Sequence, residues 1–202
     1  MEQPSPSKRA YKKREKRPPK PLDETRLKDL ALSYVARFAT SSGKLEQYLK
    51  RKLRERGWEG EHEPDLAALI ERYSELGYVD DAAYARAKSG DLLRRGYGPR
   101  RIAQALGQAG IDQNLREELS ASEYEKRDAA LHLARKRRFG PFARDVSVAG
   151  ADQRAARAVR EKQLAAMVRA GHGFDIARAM LDAATEEEAE EWVREAADLG
   201  PD

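Results

Sequence analysis

A repeated pattern of short helices, each ended by a glycine, constrains this chain more than any other feature of its sequence. The spacing Leu49-x3-Leu53-x3-Gly57 returns as Ile102-x3-Leu106-x3-Gly110. Apolar residues at steps of three and four predict amphipathic helices, and glycine is the residue that most readily ends a helix. The same spacing in two places predicts a structural unit that occurs more than once.

Three groups of three short helices follow from this pattern. The predicted segments are a disordered basic arm at 1–21, three-helix repeats at 22–78, 79–121 and 122–184, and an acidic C-terminal tail at 185–202, for which a helix is an open alternative. A repeat of this size cannot bury its apolar face alone, so neighbouring repeats are expected to stack. The predicted fold is all-α, with tandem three-helix repeats stacked into an elongated, curved array. The alternative is a single irregular helical bundle.

The composition excludes several classes of protein. The 202 residues include no cysteine, which rules out a disulfide, a thiolate zinc site and a cysteine nucleophile. No apolar run approaches the roughly 20 residues that cross a bilayer. The basic N-terminus lacks the apolar segment of a secretory signal. We therefore expect a cytoplasmic protein that makes no contact with a membrane.

Charge is concentrated at the two ends of the chain. Residues 1–21 hold eight lysines or arginines against Glu2 and Glu15, whereas residues 185–202 hold eight acids against Arg194. A basic arm suits nucleic acid, and an acidic tail suits a basic partner. The alternative is that both ends are solvated and only aid solubility.

The turn before the middle helix of the second repeat holds the first candidate partner-binding residues, Arg94, Arg95, Tyr97, Arg100 and Arg101. Gly96 and Gly98 permit a tight turn there, and Pro99 suits the first position of a helix. Arginines beside a helix N-terminus would attract phosphates or carboxylates. The alternative is that some of them pair with nearby acids such as Asp91. We expect Tyr97 to be exposed, and Tyr78 and Tyr84 to pack between helices.

Two further basic clusters lie on predicted helices. Lys50, Arg51 and Arg54 lie opposite the apolar stripe of the middle helix in the first repeat. Arg135 and Lys136 belong to a similar cluster in the third repeat. Repeated basic faces suit a charged partner, either a protein filament or DNA. Because lysine and arginine are ordinary on the outside of amphipathic helices, a merely solvated face is the alternative.

No arrangement of catalytic residues is evident. His62, His132 and His172 are isolated in sequence, and the chain lacks a Gly-rich phosphate loop, a nucleophile elbow and a His-Glu-x-x-His helix. We therefore expect a protein that acts by binding rather than as an enzyme, with no metal and no cofactor.

Two runs in the second repeat resemble the signature of the RecX regulatory family. The first is GYVDDAAYAR, from Gly77 to Arg86, and the second is RRGYGPRRI, from Arg94 to Ile102, continuing to Leu106 and Gly110. The ordered set is specific, although each dipeptide alone is common. The first and third repeats fit less strongly, so that the resemblance covers roughly residues 27–184.

The resemblance implies a modular bacterial protein that binds the RecA recombinase filament on DNA, lying in its helical groove. Most family members inhibit ATP hydrolysis, strand exchange and co-protease activity and thereby damp the SOS response. Some also bind single- or double-stranded DNA directly, so the alternative function is a DNA-binding helical protein that acts on recombination indirectly. We expect a monomer, as is common for helical arrays of this size.

Overall fold

The computed structural model describes residues 20–143 and 153–197, and these ranges contain ten α-helices. In chain order the helices are α1 (Glu24–Val35), α2 (Ser42–Arg56), α3 (Leu66–Glu75), α4 (Asp81–Arg94), α5 (Pro99–Gln108), α6 (Gln113–Glu118), α7 (Glu123–Arg137), α8 (Gln153–Arg169), α9 (Phe174–Asp182) and α10 (Glu186–Glu195). A short 3-10 helix, Gly140–Phe142, follows α7. Within these ranges, none of the helices combines the length and the apolar composition of a membrane-spanning segment. Most of the predicted basic arm, 1–19, lies outside the described residues.

Each successive group of three helices surrounds an apolar core of its own. We refer to α1–α3 as unit one, α4–α6 as unit two and α7–α9 as unit three. The core centres are almost fully buried: Leu45 and Leu49 in unit one, Ala85 and Leu106 in unit two, and Met167 and Met180 in unit three. The prediction of an all-α fold built from tandem three-helix repeats is confirmed.

Side-chain caps explain where several helices begin. Ser122 and Glu125 form the predicted capping box of α7: the Ser122 hydroxyl accepts from the Glu125 N–H at 3.2 Å, and the Glu125 carboxylate accepts from the Ser122 N–H at 2.8 Å. Asp80 caps α4 in the same way, with its carboxylate 2.8 Å from the Ala83 nitrogen. Such caps satisfy N–H groups that have no partner inside the helix.

The middle helices of the three units, α2, α5 and α8, are joined end to end. At the first junction a Cβ on Gly43 would lie 2.7 Å from the Cα of Gly110, and the buried Ser41 hydroxyl donates to the Ala109 carbonyl at 2.5 Å. The N-terminus of α2 therefore lies directly on the C-terminus of α5. Opposite ends of two helix dipoles meet there, which is a favourable arrangement.

The second junction repeats this geometry one unit further along the chain. The N–H of Gly98 donates to the Ala170 carbonyl at 3.0 Å, and the N–H of Arg100 donates to the Gly171 carbonyl at 3.1 Å. A Cβ on Gly171, whose φ is +100°, would lie 2.5 Å from the Arg101 nitrogen. Units one and three thus contact opposite ends of α5, which makes the array elongated.

The acidic C-terminal segment contains a helix that packs on unit three. Ala189 and Val193 of α10 are buried in the third core. The Arg127 guanidinium lies over the Trp192 ring, 4.4 Å from its centroid, and donates to the Trp192 carbonyl at 2.9 Å. Composition alone predicts an acidic tail for 185–202 and does not decide whether that tail is helical. Ala189 and Val193 lie four residues apart among glutamates. They form the apolar face by which α10 packs on unit three.

Replacing Trp192 with alanine should lower the free energy of unfolding by about 1–3 kcal/mol, because the variant loses apolar burial and the cation–π contact of Arg127. Urea unfolding and hydrogen exchange across α10 would measure the loss. The matched control is Glu191→Ala on the same helix. In the described chain Glu191 forms a single ion pair, an exposed one with Arg194 at 2.7 Å. Exposed pairs contribute little, so an equal effect of both substitutions would contradict the anchoring role of Trp192.

Candidate partner-binding groove

A groove of about 320 Å³ lies where units two and three meet. Five basic side chains line it, and we call it the junction groove: Arg95, Arg101, Lys136, Arg137 and Arg169. Its apolar lining includes Leu133 and Phe139, and no acidic residue of the described chain lines it. The groove therefore concentrates positive charge on a partly apolar surface.

Helix ends explain why basic residues collect at this point. Arg95 is the C-cap of α4, Lys136 and Arg137 lie in the last turn of α7, and Arg169 is the last residue of α8. Cations near a helix C-terminus are favoured by the helix dipole, by about 0.3–1 kcal/mol each. Four of the five charges thus have a local structural reason, whereas Arg101 lies in the first turn of α5, and only the packing of the helices brings the five together.

Most of this charge is not neutralised within the described residues. Arg95 forms an exposed ion pair with Asp91 at 3.3 Å, and its guanidinium lies 5.7 Å from the centroid of the Tyr97 ring. The Arg101 guanidinium donates to the Gln104 side chain at 3.2 Å. Lys136, Arg137 and Arg169 form no ion pair with any described acid. The expected pairing with Asp91 therefore exists, but it neutralises only one of the five cations.

Tyr97 also lines the junction groove, whereas the remaining predicted residues lie outside it. Arg94 and Arg100 are exposed on unit two. Arg135 lies next to α10, where it pairs with Glu190 and stands 5.4 Å from the centroid of the Phe142 ring. The structure therefore separates Arg135 from Lys136, its neighbour in sequence, because successive residues of a helix point in different directions.

The basic face of α2 is exposed, as its spacing predicts, but partly neutralised by its own helix. Lys50 pairs with Glu46 at 2.7 Å, and Arg51 pairs with Glu55 at 3.6 Å. Arg54 forms no ion pair with an acid of the described chain. This face thus carries less free charge than the junction groove.

Sequence reasoning missed Arg169 and did not single out Arg137. A signal for Arg169 was present, because Arg169-Ala170-Gly171 stands at the end of α8 as Gln108-Ala109-Gly110 stands at the end of α5. Aligning the ends of the middle helices would have placed Arg169 at the junction with unit two.

Unit three closes the α5 N-terminus, and the expectations for Tyr97 and Tyr78 are wrong. The Gly98 and Arg100 N–H groups donate to the carbonyls of Ala170 and Gly171, so these two N–H groups are not free to bind an anion. Tyr97 is half-buried and packs on the second core, whereas Tyr78 is 51% exposed. The N-terminus of α5 is closed by its contact with unit three. Local sequence does not reveal this contact, because its residues lie far apart along the chain.

His172 lies buried where units two and three meet. Its Nε2 is 3.0 Å from the Gly96 carbonyl oxygen, so Nε2 carries the proton and donates, while Nδ1 is buried without a hydrogen-bond partner in the described chain. Burial lowers the pKa of His172, and the Gly96 hydrogen bond opposes this only in part. In the folded protein His172 is therefore held in its neutral form at this junction.

The stability of the protein should decrease with acid because of His172. The histidine pKa is lower in the folded than in the unfolded chain, so the folded state is not penalised above about pH 6.5, the unfolded value. The penalty develops as the pH falls from about 6.5 towards the folded pKa, because only the unfolded chain then binds the proton, and it amounts to about 1.4 kcal/mol per unit of difference between the two pKa values. Urea unfolding at a series of pH values from 7.5 to 5 would measure it. His172→Phe should have a shallower pH dependence, and equal slopes would contradict the assignment.

Comparison with known proteins identifies relatives across most of the chain. Residues 80–119 match the family model described as RecX, second three-helix domain. The regulatory protein RecX of Myxococcus xanthus is 32% identical over 181 residues, covering 85% of this chain and 93% of that protein. A regulatory protein RecX of Thermus thermophilus is 37% identical over 89 residues, covering 44% of this chain and 59% of that protein.

A solved structure has the same fold. The crystal structure of RecX from Lactobacillus salivarius superposes with a TM-score of 0.57, at 19% identity, over 87% of this chain and 97% of that one. At this identity the likeness concerns the fold alone. The two runs of sequence from Gly77 to Ile102 that resemble the family signature lie mainly within the region matched by the family model.

Proposed function

Because this chain belongs to the RecX family of regulatory proteins, we propose that it binds the RecA recombinase filament on DNA and regulates it. The expected effect is inhibition of ATP hydrolysis, strand exchange and co-protease activity, with consequences for DNA repair and the SOS response. The protein acts by binding, as a monomer in the cytoplasm, and is not an enzyme.

The junction groove is the observation that supports this proposal most directly. It holds five basic side chains, and no described acid lines it. A surface of one charge sign raises the rate of encounter with an oppositely charged partner and disfavours partners of like charge. A filament of protein and nucleic acid supplies carboxylates and phosphates, both of which arginine binds bidentately.

The elongated shape of the array supports a mechanism in which the protein bridges neighbouring subunits of the filament. Units one and three contact opposite ends of α5, so the units are spread along a line and can contact more than one subunit of a helical filament. Bridging neighbouring subunits would oppose their rearrangement and hinder access to the groove of the filament. Inhibition without any catalytic step follows from such binding.

Cosedimentation tests the proposal. RecA filaments assembled on single-stranded DNA should carry the protein into the pellet, whereas bare DNA at the same nucleotide concentration should carry much less. The ATPase rate of the filament should fall over the same range of protein concentration. Equal binding to bare DNA, with no change in ATPase rate, would exclude a filament regulator.

Direct binding to DNA is the second candidate function. The unneutralised cations Lys136, Arg137 and Arg169 favour it, because their charges suit phosphates as well as carboxylates. A DNA-binding protein should lose affinity steeply with salt, in proportion to the phosphates that it contacts. The predicted basic arm would add to such binding, so deleting residues 1–19, which hold seven of its eight basic residues, should weaken a DNA-binding protein strongly and leave a filament regulator largely active.

A further inference from the structure

Unit two contains a cavity of about 430 Å³ that is distinct from the junction groove, since the two share no lining residue. It lies between α4, α5 and the segment that joins α6 to α7. Pro99, Ile102 and Leu106 form an apolar wall on α5, and Leu93 and Leu119 add to it. This size and lining are typical of sites that bind a ligand.

The α4 wall of the cavity includes two small residues, Ser89 and Gly90, and helix stability does not explain the glycine. Gly90 lies in the middle of α4, where glycine is a poor helix former. A Cβ at this position would meet only the end of the flexible Arg94 side chain, at 3.2 Å, and Gly90 has no positive φ. Neither packing nor backbone conformation requires a glycine here, yet a larger side chain would help to fill the cavity.

A buried hydroxyl group lines the same cavity. Ser89 is only 9% exposed, and its Oγ has no hydrogen-bond partner in the described chain. A buried polar group without a partner is unfavourable, and the large majority of such groups in proteins have one. A ligand in the cavity would supply the missing partner.

The rim of the cavity carries both signs of charge: three basic residues, Arg86, Arg116 and Lys126, and two acids, Glu118 and Glu125. Lys126 pairs with Glu123 at 3.6 Å. Arg86 and Arg116 both line it, and neither pairs with an acid of the described chain; the Arg116 side chain donates to the Asp112 carbonyl at 3.4 Å. Of the two acids on the rim, Glu125 is held in the capping box of α7, and Glu118 is exposed. The two free arginines therefore favour a ligand that carries carboxylates.

We propose that this cavity is a docking pocket for a bulky apolar side chain from an acidic segment of the partner protein. The apolar side chain enters between α4 and α5, a polar group beside it bonds to Ser89, and flanking carboxylates pair with Arg86 and Arg116. The proposal rests on the proposed function, because the partner protein is the subunit of the filament. It adds an apolar anchor to the electrostatic contact of the junction groove.

A substitution that fills the docking pocket should weaken binding to the filament without lowering the stability of the protein. Gly90→Leu introduces a good helix former and occupies the cavity, so its thermal midpoint should not fall. Its affinity for RecA filaments on single-stranded DNA should fall roughly tenfold or more, as expected for the loss of an interface anchor. The control, Ala87→Leu, places the same side chain on α4 outside the pocket and should bind like the unmodified chain. Unchanged affinity of a folded Gly90→Leu variant overturns the proposal.

Chemical labelling decides the matter even if Gly90→Leu fails to fold. The chain contains no cysteine, so Ala103→Cys in the pocket and Ala87→Cys outside it each introduce a unique thiol. Bound to the filament, the thiol at position 103 should react with a maleimide about tenfold more slowly, and the thiol at position 87 at an unchanged rate. If the protein cosediments with filaments but the thiol at position 103 is not protected from the maleimide, the docking pocket is overturned and the proposed function is not. Failure to cosediment with filaments overturns the proposed function itself, and the pocket with it.

Discussion

Replacing Gly98 with alanine is expected to separate unit two from unit three and to lower the free energy of unfolding by about 3 kcal/mol or more. The new methyl group would overlap backbone atoms of Gly171 and His172, which cannot move aside like a flexible side chain. Relief of the overlap would break the hydrogen bonds from Gly98 to Ala170 and from Arg100 to Gly171, each 3.0–3.1 Å long. Urea unfolding would measure the loss, and hydrogen exchange at the Arg100 amide would locate it.

Gly173→Ala is the matched control for this prediction. Gly173 lies two residues beyond Gly171, but a Cβ there meets nothing within 4 Å, and its φ of −63° suits alanine. Because Gly173 is the N-cap of α9, where alanine is less favourable than glycine, the variant should lose no more than about 1 kcal/mol. If Gly98→Ala were as stable as Gly173→Ala, with slow exchange at Arg100, the close approach of α5 and α8 would not be a feature of the folded protein.

The triple variant Lys136→Glu, Arg137→Glu and Arg169→Glu is expected to reduce the affinity for RecA filaments by about a hundredfold or more. These three cations line the junction groove without ion pairs in the described chain, so reversing them changes the sign of the surface that we propose to face the partner. Part of the loss should appear as a slower association rate that depends strongly on salt. Surface plasmon resonance at two salt concentrations would measure both.

The second basic face provides a control with the same change in charge. Lys50→Glu, Arg51→Glu and Arg54→Glu lie on α2, where Glu46 and Glu55 already neutralise two of the three cations. We expect this variant to lose less than about tenfold in affinity, and circular dichroism to be unchanged in both variants. Equal losses would mean that total charge, rather than the junction groove, determines binding.

Local sequence was sufficient for the helices and their ends. Ser122 and Glu125, three residues apart, predicted a capping box that the structure contains, because a cap depends only on neighbours along the chain. The spacing of Leu49, Leu53 and Gly57 likewise predicted a buried stripe and a helix end. Apolar periodicity alone was enough to indicate repeats of three helices.

The candidate site could be predicted only in part. Arg95, Arg101 and Lys136 were identified from their clusters, but Arg169 was missed and Arg135 lies beside α10 instead. Clustering in sequence does not determine direction, since neighbouring residues of a helix point to different sides. The N-terminus of α5, beside the predicted arginine cluster, is closed by carbonyls of unit three, far along the chain, as in the bond from Gly98 to Ala170.

The amino-acid sequence by itself determined the all-α class, the division into three-helix repeats and the family, because each depends on periodicity and order along the chain. Tertiary structure alone decided which cations share a groove, that α10 packs on unit three, and that glycines join α2, α5 and α8 end to end. These features depend on distances between residues far apart in sequence, which are set by how backbones approach one another.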